Sequence, residues 1–469
     1  MLTYDLEARG DLALYEYLYR RIRDDILRGA PAAGERLPSK RALAEHLRVS
    51  VITVGEAYQQ LEAEGYVEAR PRRGFFVCPV DRLSPAAPAA EHPAAPEEER
   101  PRAWRLDLRS GQVDRGCFPS ALWARLTRQV LSEGGQLDPV PHQGLRVLRE
   151  AIARDLRDFK GMTVAPEQIV VGAGAEYLYL LLAQLLGREA VFALEDPGYP
   201  KIRQVYAKWG AVCRPIPLDG RGMAPEALYA SGATVAHLSP AHHYPTGIVT
   251  PIARRQALLR WAEETDGIII EDDYDSEFRF TGRPLPTLQS IDRRGRVIYM
   301  NTFSQTISPS MRVGFMVLPP RLLELCRREL GFYASTVPAL EQQVLARFLG
   351  GGWYEQHLSR MRKTYRLRRA AVLEAFSACP FAASVTDRGA GLHFLLRLNT
   401  EEDDQALRAR AEGLGVRLGF LSEYAAAPHP AYRHTLVVNY AGLDVERLAE
   451  AAALLTEVFR PAEGALPPR

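Results

Sequence analysis

Leu14, Leu18, Ile22 and Ile26 recur at every fourth position, which predicts a first helix carrying one apolar stripe. After Pro38, Ser39 is placed to cap a second helix whose Leu43 and Leu47 share a face. A break at Arg48, Val49 and Ser50 follows, and Ser50 can cap a third helix from Val51 to Glu64 with Val54, Ala57, Tyr58 and Leu61 inward. Two short helices joined by so tight a turn form a helix-turn-helix pattern. Tyr66–Val67 and Phe75–Val77 then read as two short strands around the triply basic turn Arg70-Pro71-Arg72-Arg73-Gly74, a wing.

The pattern changes after Cys78. Residues 79–104 are rich in Pro, Ala and Glu and almost empty of branched apolar residues, so they cannot bury enough surface to offset their ordering entropy. They read as a semi-extended linker between a head (1–78) and a body (105–465). The body alternates short apolar runs with polar clusters. Residues 168–171 lead into Gly172-Ala173-Gly174-Ala175-Glu176 and a helix from Tyr177 to Leu186. Residues 190–194 lead into Glu195-Asp196-Pro197-Gly198-Tyr199-Pro200-Lys201, and 233–238 into SPAHHYPTG. Residues 267–270 lead into Glu271-Asp272-Asp273-Tyr274-Asp275, and 297–300 into a run ending Ser304-Gln305-Thr306 and Arg312. That order predicts an α/β fold with an open sheet whose carboxyl edge gathers the polar clusters. The large α/β part extends to about residue 335, with a smaller C-terminal part after it.

Composition changes this picture in one respect. The 469 residues carry 59 Lys+Arg against 57 Asp+Glu, and the head alone holds 12 of each, so bulk charge identifies no partner. The head's cations are concentrated in Arg36, Lys40, Arg41, Arg48 and the wing. Only five lysines occur: Lys40, Lys160, Lys201, Lys208 and Lys363. Five scattered cysteines without a C-x-x-C fit reduced thiols in a cytosolic protein rather than disulfides or a zinc site. No signal peptide, repeat or membrane span is expected.

The stretch LPSKRALAEHLRVSVITVGEAYQQLEAEGYVEARPRRGFFV resembles the GntR-type winged helix-turn-helix. The resemblance implies contact with operator DNA through Arg41, Ser50, Thr53, Arg73 and Gly74. Val51 and Ile52 stand where many relatives carry a polar or basic reader, which leaves apolar contact with thymine methyls as a substitute for hydrogen bonding. EDPGYP, HHYPTG, EDDYDSEFR and TFSQTISPSMR make the body similar to a fold-type I aminotransferase domain, and the order head–linker–body resembles the MocR subfamily of GntR regulators.

That resemblance implies pyridoxal 5'-phosphate (PLP) and a homodimer. Asp272 would pair with the ring nitrogen, which is an electron sink only when protonated. Tyr274 would bond the ring hydroxyl, and Tyr199 would stack on the ring. Gly174, Ala175 and Glu176 through their backbone, with Ser304 and Arg312, would hold the phosphate. Lys201 sits where relatives often have arginine, and Arg433 is a second candidate for an effector carboxylate. The family pattern, however, requires lysine directly after TFS, and this chain has Gln305. An amide is not nucleophilic and does not titrate near neutrality. Ordinary aminotransferase catalysis is therefore expected to be absent or severely impaired, with no catalytic residue and no metal assigned. Three readings follow: a sensor of noncovalent PLP, a PLP-amine adduct or an amino compound; a working PLP enzyme with an accessory DNA-binding head, its amine supplied by Lys201; or a PLP-free sensor or dimerisation scaffold.

Overall fold

The computed structural model describes residues 2–80, 103–109, 113–134, 138–282 and 285–460. Apart from its ends, the expected linker lies outside the described residues. The chain forms two compact units, residues 1–102 and 103–469.

The first unit contains α1 (Leu14–Arg28), α2 (Lys40–Leu47) and α3 (Val51–Ala63), followed by β1 (Val67–Arg70) and β2 (Gly74–Val77). The fourfold stripe of α1 closes on Leu43, Leu47, Val54, Tyr58 and Leu61 in one apolar core. Ser39 caps α2 and Ser50 caps α3, each accepting a backbone N–H of the first turn. The antiparallel pair β1–β2 runs further into the basic turn than the sequence suggests, with Arg70 opposite Gly74. Only Pro71, Arg72 and Arg73 remain at the tip.

The second unit opens with β3 (Leu106–Asp107). Its main sheet uses β4 (Ile169–Gly172), β5 (Val191–Asp196), β6 (Val212–Asp219), β7 (Gly222–Met223), β8 (Val235–Leu238), β9 (Ile268–Asp272), β10 (Val297–Thr302) and β11 (Gly314–Val317). The order across the sheet is β4-β11-β10-β9-β8-β5-β6-β7. β10, β9, β8, β5 and β6 are parallel, while β11 runs antiparallel between β10 and β4. β4 therefore points the same way as β10. The central strands are buried on both faces, as expected when helices cover a parallel sheet. β6 escapes simple sequence reading because Pro215 and Pro217 interrupt it, which is tolerated near a sheet edge.

A three-stranded antiparallel sheet of β12 (Ala382–Thr386), β13 (His393–Leu398) and β15 (Thr435–Asn439) builds the smaller part, in the order β12-β13-β15. β14 (Val416–Arg417) pairs in parallel with β3, so Leu106 and Leu108 join a core made mostly of C-terminal residues. The helix Trp353–Ser377 connects the two cores: Tyr354 and Leu358 pack with the large part, and Met361, Tyr365, Val372 and Phe376 with the small one.

One buried cation holds the loops behind the sheet edge. The guanidinium of Arg255 donates to the carbonyls of Thr250 (2.9 Å), Pro240 (2.7 Å) and Pro286 (3.0 Å), and lies 3.5 Å from Glu271. Glu271 in turn accepts from the backbone N–H groups of Leu288 and Gln289. Arg255→Met would leave three carbonyls without their donor and Glu271 without its cation. It should cost about 3 kcal/mol, read as an earlier unfolding midpoint in denaturant.

Candidate functional sites

The head presents a helix start and a basic rim. Ser50 Oγ accepts the N–H of Thr53 at 3.0 Å and lies 2.8 Å from Thr53 Oγ1, so the two hydroxyls satisfy each other at the N-terminus of α3. Arg41 and Arg48 are exposed at the two ends of α2, and Arg72 and Arg73 at the wing tip; none has an ion-pair partner among the described residues. Arg70 differs, since Glu68 engages it and its guanidinium lies over the Phe76 ring. Gly74 has φ +104°, in the region that favours glycine, and a Cβ there would come 3.1 Å from Arg36 Nε.

In the body, β4, β5, β8, β9 and β10 deliver their carboxyl ends to one edge, where a cavity of about 660 Å³ opens. Ala175, Glu176, Tyr199, Lys201, Asp272 and Tyr274 line it. Ser304, Gln305 and Arg312 line it as well. Asp272 ends β9 and is buried. Its Oδ2 accepts from Tyr179 Oη at 2.6 Å and lies 3.5 Å from His237 Nε2, while its Oδ1 has no hydrogen-bond partner. A buried, unpartnered carboxylate oxygen in a cavity wall is suited to a protonated ring nitrogen.

At the other end of the cavity, the helix Ala175–Leu186 begins two residues before the predicted Tyr177, so Ala175 and Glu176 belong to its first turn, where N–H groups lack intrahelical acceptors. Glu176 accepts from Arg312 and, at 3.0 Å, from Lys201 Nζ. Burial would raise the Glu176 carboxyl, but the bonds from Arg312 and Lys201 pull it down to about 2. Gly174 has φ +84°, and a Cβ there would lie 2.7 Å from the Arg312 guanidinium, so the loop must be bare for that arginine to sit over it. Gln305 occupies a short turn fixed from behind, where Tyr354 Oη bonds Thr306 Oγ1 at 3.1 Å and His357 Nε2 lies 2.7 Å from the Thr306 carbonyl.

Tyr274 Oη lies 3.2 Å from His242 Nδ1, which is 3.0 Å from Asp275. His242, Asp275 and His393 have ligand-type atoms within 4.8 Å of one another. Their spacing would suit a metal ion, but His242 already faces Asp275, and His393 Nε2 lies 3.0 Å from the Pro245 carbonyl. The group is a hydrogen-bonded support behind Tyr274. Tyr199 is partly exposed over the cavity and meets Tyr244 edge-on, with ring centroids 6.0 Å apart.

Arg433 is not brought to this cavity: it is half-exposed and lies 3.6 Å from Asp403. Besides Arg312 and Arg203, two further arginines line the cavity, Arg109 (3.1 Å from Glu423) and Arg417 (3.4 Å from Asp107). The pairing of β3 with β14 places them there, and Asn439 Nδ2 holds the carbonyl of Arg109 at 3.2 Å. No local pattern signals a contact between segments three hundred residues apart in order of magnitude.

Residues 14–77 match the family described as bacterial regulatory proteins, gntR family, and residues 105–455 match aminotransferase class I and II. The chain is 36% identical over 468 residues to the uncharacterized HTH-type transcriptional regulator YhdI of Bacillus subtilis, covering 98% of each chain. It is 33% identical to the probable rhizopine catabolism regulatory protein MocR of Rhizobium meliloti, covering 100% of this chain and 98% of that one. Among solved structures, the kynurenine aminotransferase of Pyrococcus horikoshii is similar with a TM-score of 0.68 at 25% identity, over 77% of this chain and 92% of that one.

The cavity also contains a carboxyl with a displaced titration. Burial pushes Glu195 from 4.5 up to about 8; the Ser239 N–H opposes the rise, and Asp272 adds to it. A carboxyl that stays protonated when folded but ionises near 4.5 when unfolded draws stability down as pH rises between those values. Glu195→Gln should therefore lose less thermal stability than the parent between about pH 5 and pH 8. The difference should be at least about 2 °C in melting temperature by calorimetry.

Proposed function

Because this chain belongs to the GntR-type transcriptional regulators that carry an aminotransferase class I and II body, the MocR subfamily, we propose that its body is a ligand sensor rather than a transaminase. The protein is a DNA-binding transcriptional regulator. Domains of the body's fold generally bind PLP, which when bound supplies an electron sink next to an amine-bearing carbon. The proposed ligand is PLP, held noncovalently, or a PLP-related amino compound. The unpartnered Asp272 Oδ1 is the observation that carries this reading.

Each side chain then has a part of its own. Asp272 offers Oδ1 to a ring N–H, while Tyr179 holds the other oxygen in place. Tyr274, backed by His242 and Asp275, offers a phenol, and Tyr199 offers a ring face. Arg312, Ser304 and the first turn of Ala175–Leu186 offer donors to a phosphate. Lys201, Arg109 and Arg417 offer cations to a carboxylate. Gln305 can hydrogen-bond at the position after Ser304 but cannot form a covalent link or carry a proton between carbons.

The reading extends to a homodimer in which residues 1–78 contact the operator and 79–104 connect head to body. Ligand shifts DNA affinity to the extent that it binds two arrangements of the chain differently. Among the described residues no helix is long and apolar enough to cross a membrane.

Purified protein should bind PLP or pyridoxamine phosphate in equilibrium dialysis, and Asp272→Ala should weaken binding at least about tenfold. Borohydride treatment followed by peptide mapping should find no modified lysine. A label at Lys201 would instead support the working-enzyme reading, and no binding at all would leave the scaffold reading. In a mobility-shift assay, operator affinity should fall steeply with salt, by about a decade or more between 50 and 200 mM.

A further inference from the structure

The N-terminal turn of α3 has an unusual surface for a helix that meets DNA. Ser50 and Thr53, the two polar residues there, are tied to each other and to the helix start. Between them Val51 is 46% exposed and Ile52 74% exposed, the latter the most exposed large apolar side chain of the head among the described residues. One turn further on, the same face carries Gly55, where a Cβ would meet only Lys40 Cδ at 3.9 Å, and then the exposed Glu56 and Gln59. The sequence of α3, VITVGEAYQQLEA, contains no lysine or arginine. The bidentate arginine contact with guanine, the commonest specific contact in a major groove, is therefore not available from this helix.

The cations lie around this patch in the chain rather than in it. Arg41 and Arg48 bracket α2, and Arg72 and Arg73 form the wing tip, all exposed and without ion-pair partners among the described residues. Such cations suit phosphates, which position a protein without reading sequence. An apolar helix start with basic residues on the neighbouring elements is complementary to a major groove whose floor is apolar at one feature, the C5-methyl group of thymine. Isoleucine placed against any other base edge would strip water from donors and acceptors that it cannot replace, which disfavours those bases.

Resting on the DNA-binding role of the head, we propose that Val51 and Ile52 read thymine methyl groups in the operator, so that base recognition by the start of α3 is apolar. The occupant of this surface is a T·A step of duplex DNA. The charge comes from the surrounding arginines and the discrimination from two aliphatic side chains.

The experiment uses the full-length protein. A preferred duplex is selected from a random library, and each of its thymines is then replaced singly by deoxyuridine, which removes only the methyl group. At least one replacement should weaken binding about fourfold, the value of one buried methyl-sized group. Ile52→Ala should bind the thymine duplex about as weakly as the parent binds the deoxyuridine duplex, and should no longer distinguish the two. Arg73→Ala should weaken both duplexes alike and preserve their ratio. Val51→Arg, assayed by a fresh selection, should move the preferred base towards guanine. Equal affinity of the parent for every thymine and deoxyuridine duplex would overturn the proposal, as would full discrimination retained by both Ile52→Ala and Val51→Ala. Failure to bind any duplex would overturn the DNA-binding role as well, and so differs from failure of methyl reading alone.

Discussion

The common direction of β4, β5, β8, β9 and β10 is the constraint on which the body's chemistry depends. A parallel strand must return through a crossover, and the polar residues that end each strand therefore meet at one edge. Asp196, Asp272 and Thr302 are last residues of three such strands. The antiparallel β11 does not disturb the arrangement, because its first residue, Gly314, lies opposite Thr302 on one side and Gly172 on the other. Arg312, two residues earlier, reaches the loop after β4 by that register. The contact of Arg312 with Glu176, 136 positions away, follows from the order of the sheet.

Behind the edge, charges are held by different means according to their depth. Arg255 satisfies backbone carbonyls, and beside it burial pushes Glu271 up to about 7. Lys160 lies 3.0 Å from Asp273 and 3.1 Å from Glu277; burial opposes its charge, but those two carboxylates raise its affinity for the proton. Tyr299 Oη bonds the same Asp273 oxygen at 2.7 Å. Each of the two adjacent aspartates leaves its Oδ1 without a hydrogen-bond partner, but Asp273 is held by Lys160 and Tyr299, whereas Asp272 lines the cavity. Two adjacent aspartates at the end of β9 divide into a support and a ligand group because alternate residues of a strand face opposite sides of the sheet.

Much of this was legible in the sequence, for identifiable reasons. The head is local: α2 and α3 are joined by a short turn, their caps are serines at the expected positions, and the core follows a fourfold repeat. The strand-then-polar order of the body also marks the sheet edge, and Tyr199, Asp272, Tyr274, Ser304, Gln305 and Arg312 line one cavity. What the sequence does not reveal is non-local. Arg433 precedes an apolar strand and so invites assignment to the site, yet it pairs with Asp403. Arg109 and Arg417 carry no motif and reach the cavity through the two-residue ladder of β3 and β14. The support of Tyr274 by His242 likewise joins loops after β8 and β9 that only the sheet order brings together.

The absence of a lysine after Ser304 gains physical meaning from the cations that are present. Lys201, the lysine lining the cavity, has its amine 3.0 Å from Glu176, and the same carboxylate holds Arg312. A protonated amine held by a carboxylate is a poor nucleophile, because the lone pair it would use is occupied by a proton that the ion pair retains. The proton is indeed favoured there: the Glu176 bond raises the lysine's affinity for it above the ordinary value. The Lys201–Glu176–Arg312 group is instead arranged as an anion counter. A phosphate arriving at the first turn of Ala175–Leu186 would compete with Glu176 for both cations. Exchange of one anion for another at these two cations would require no covalent chemistry.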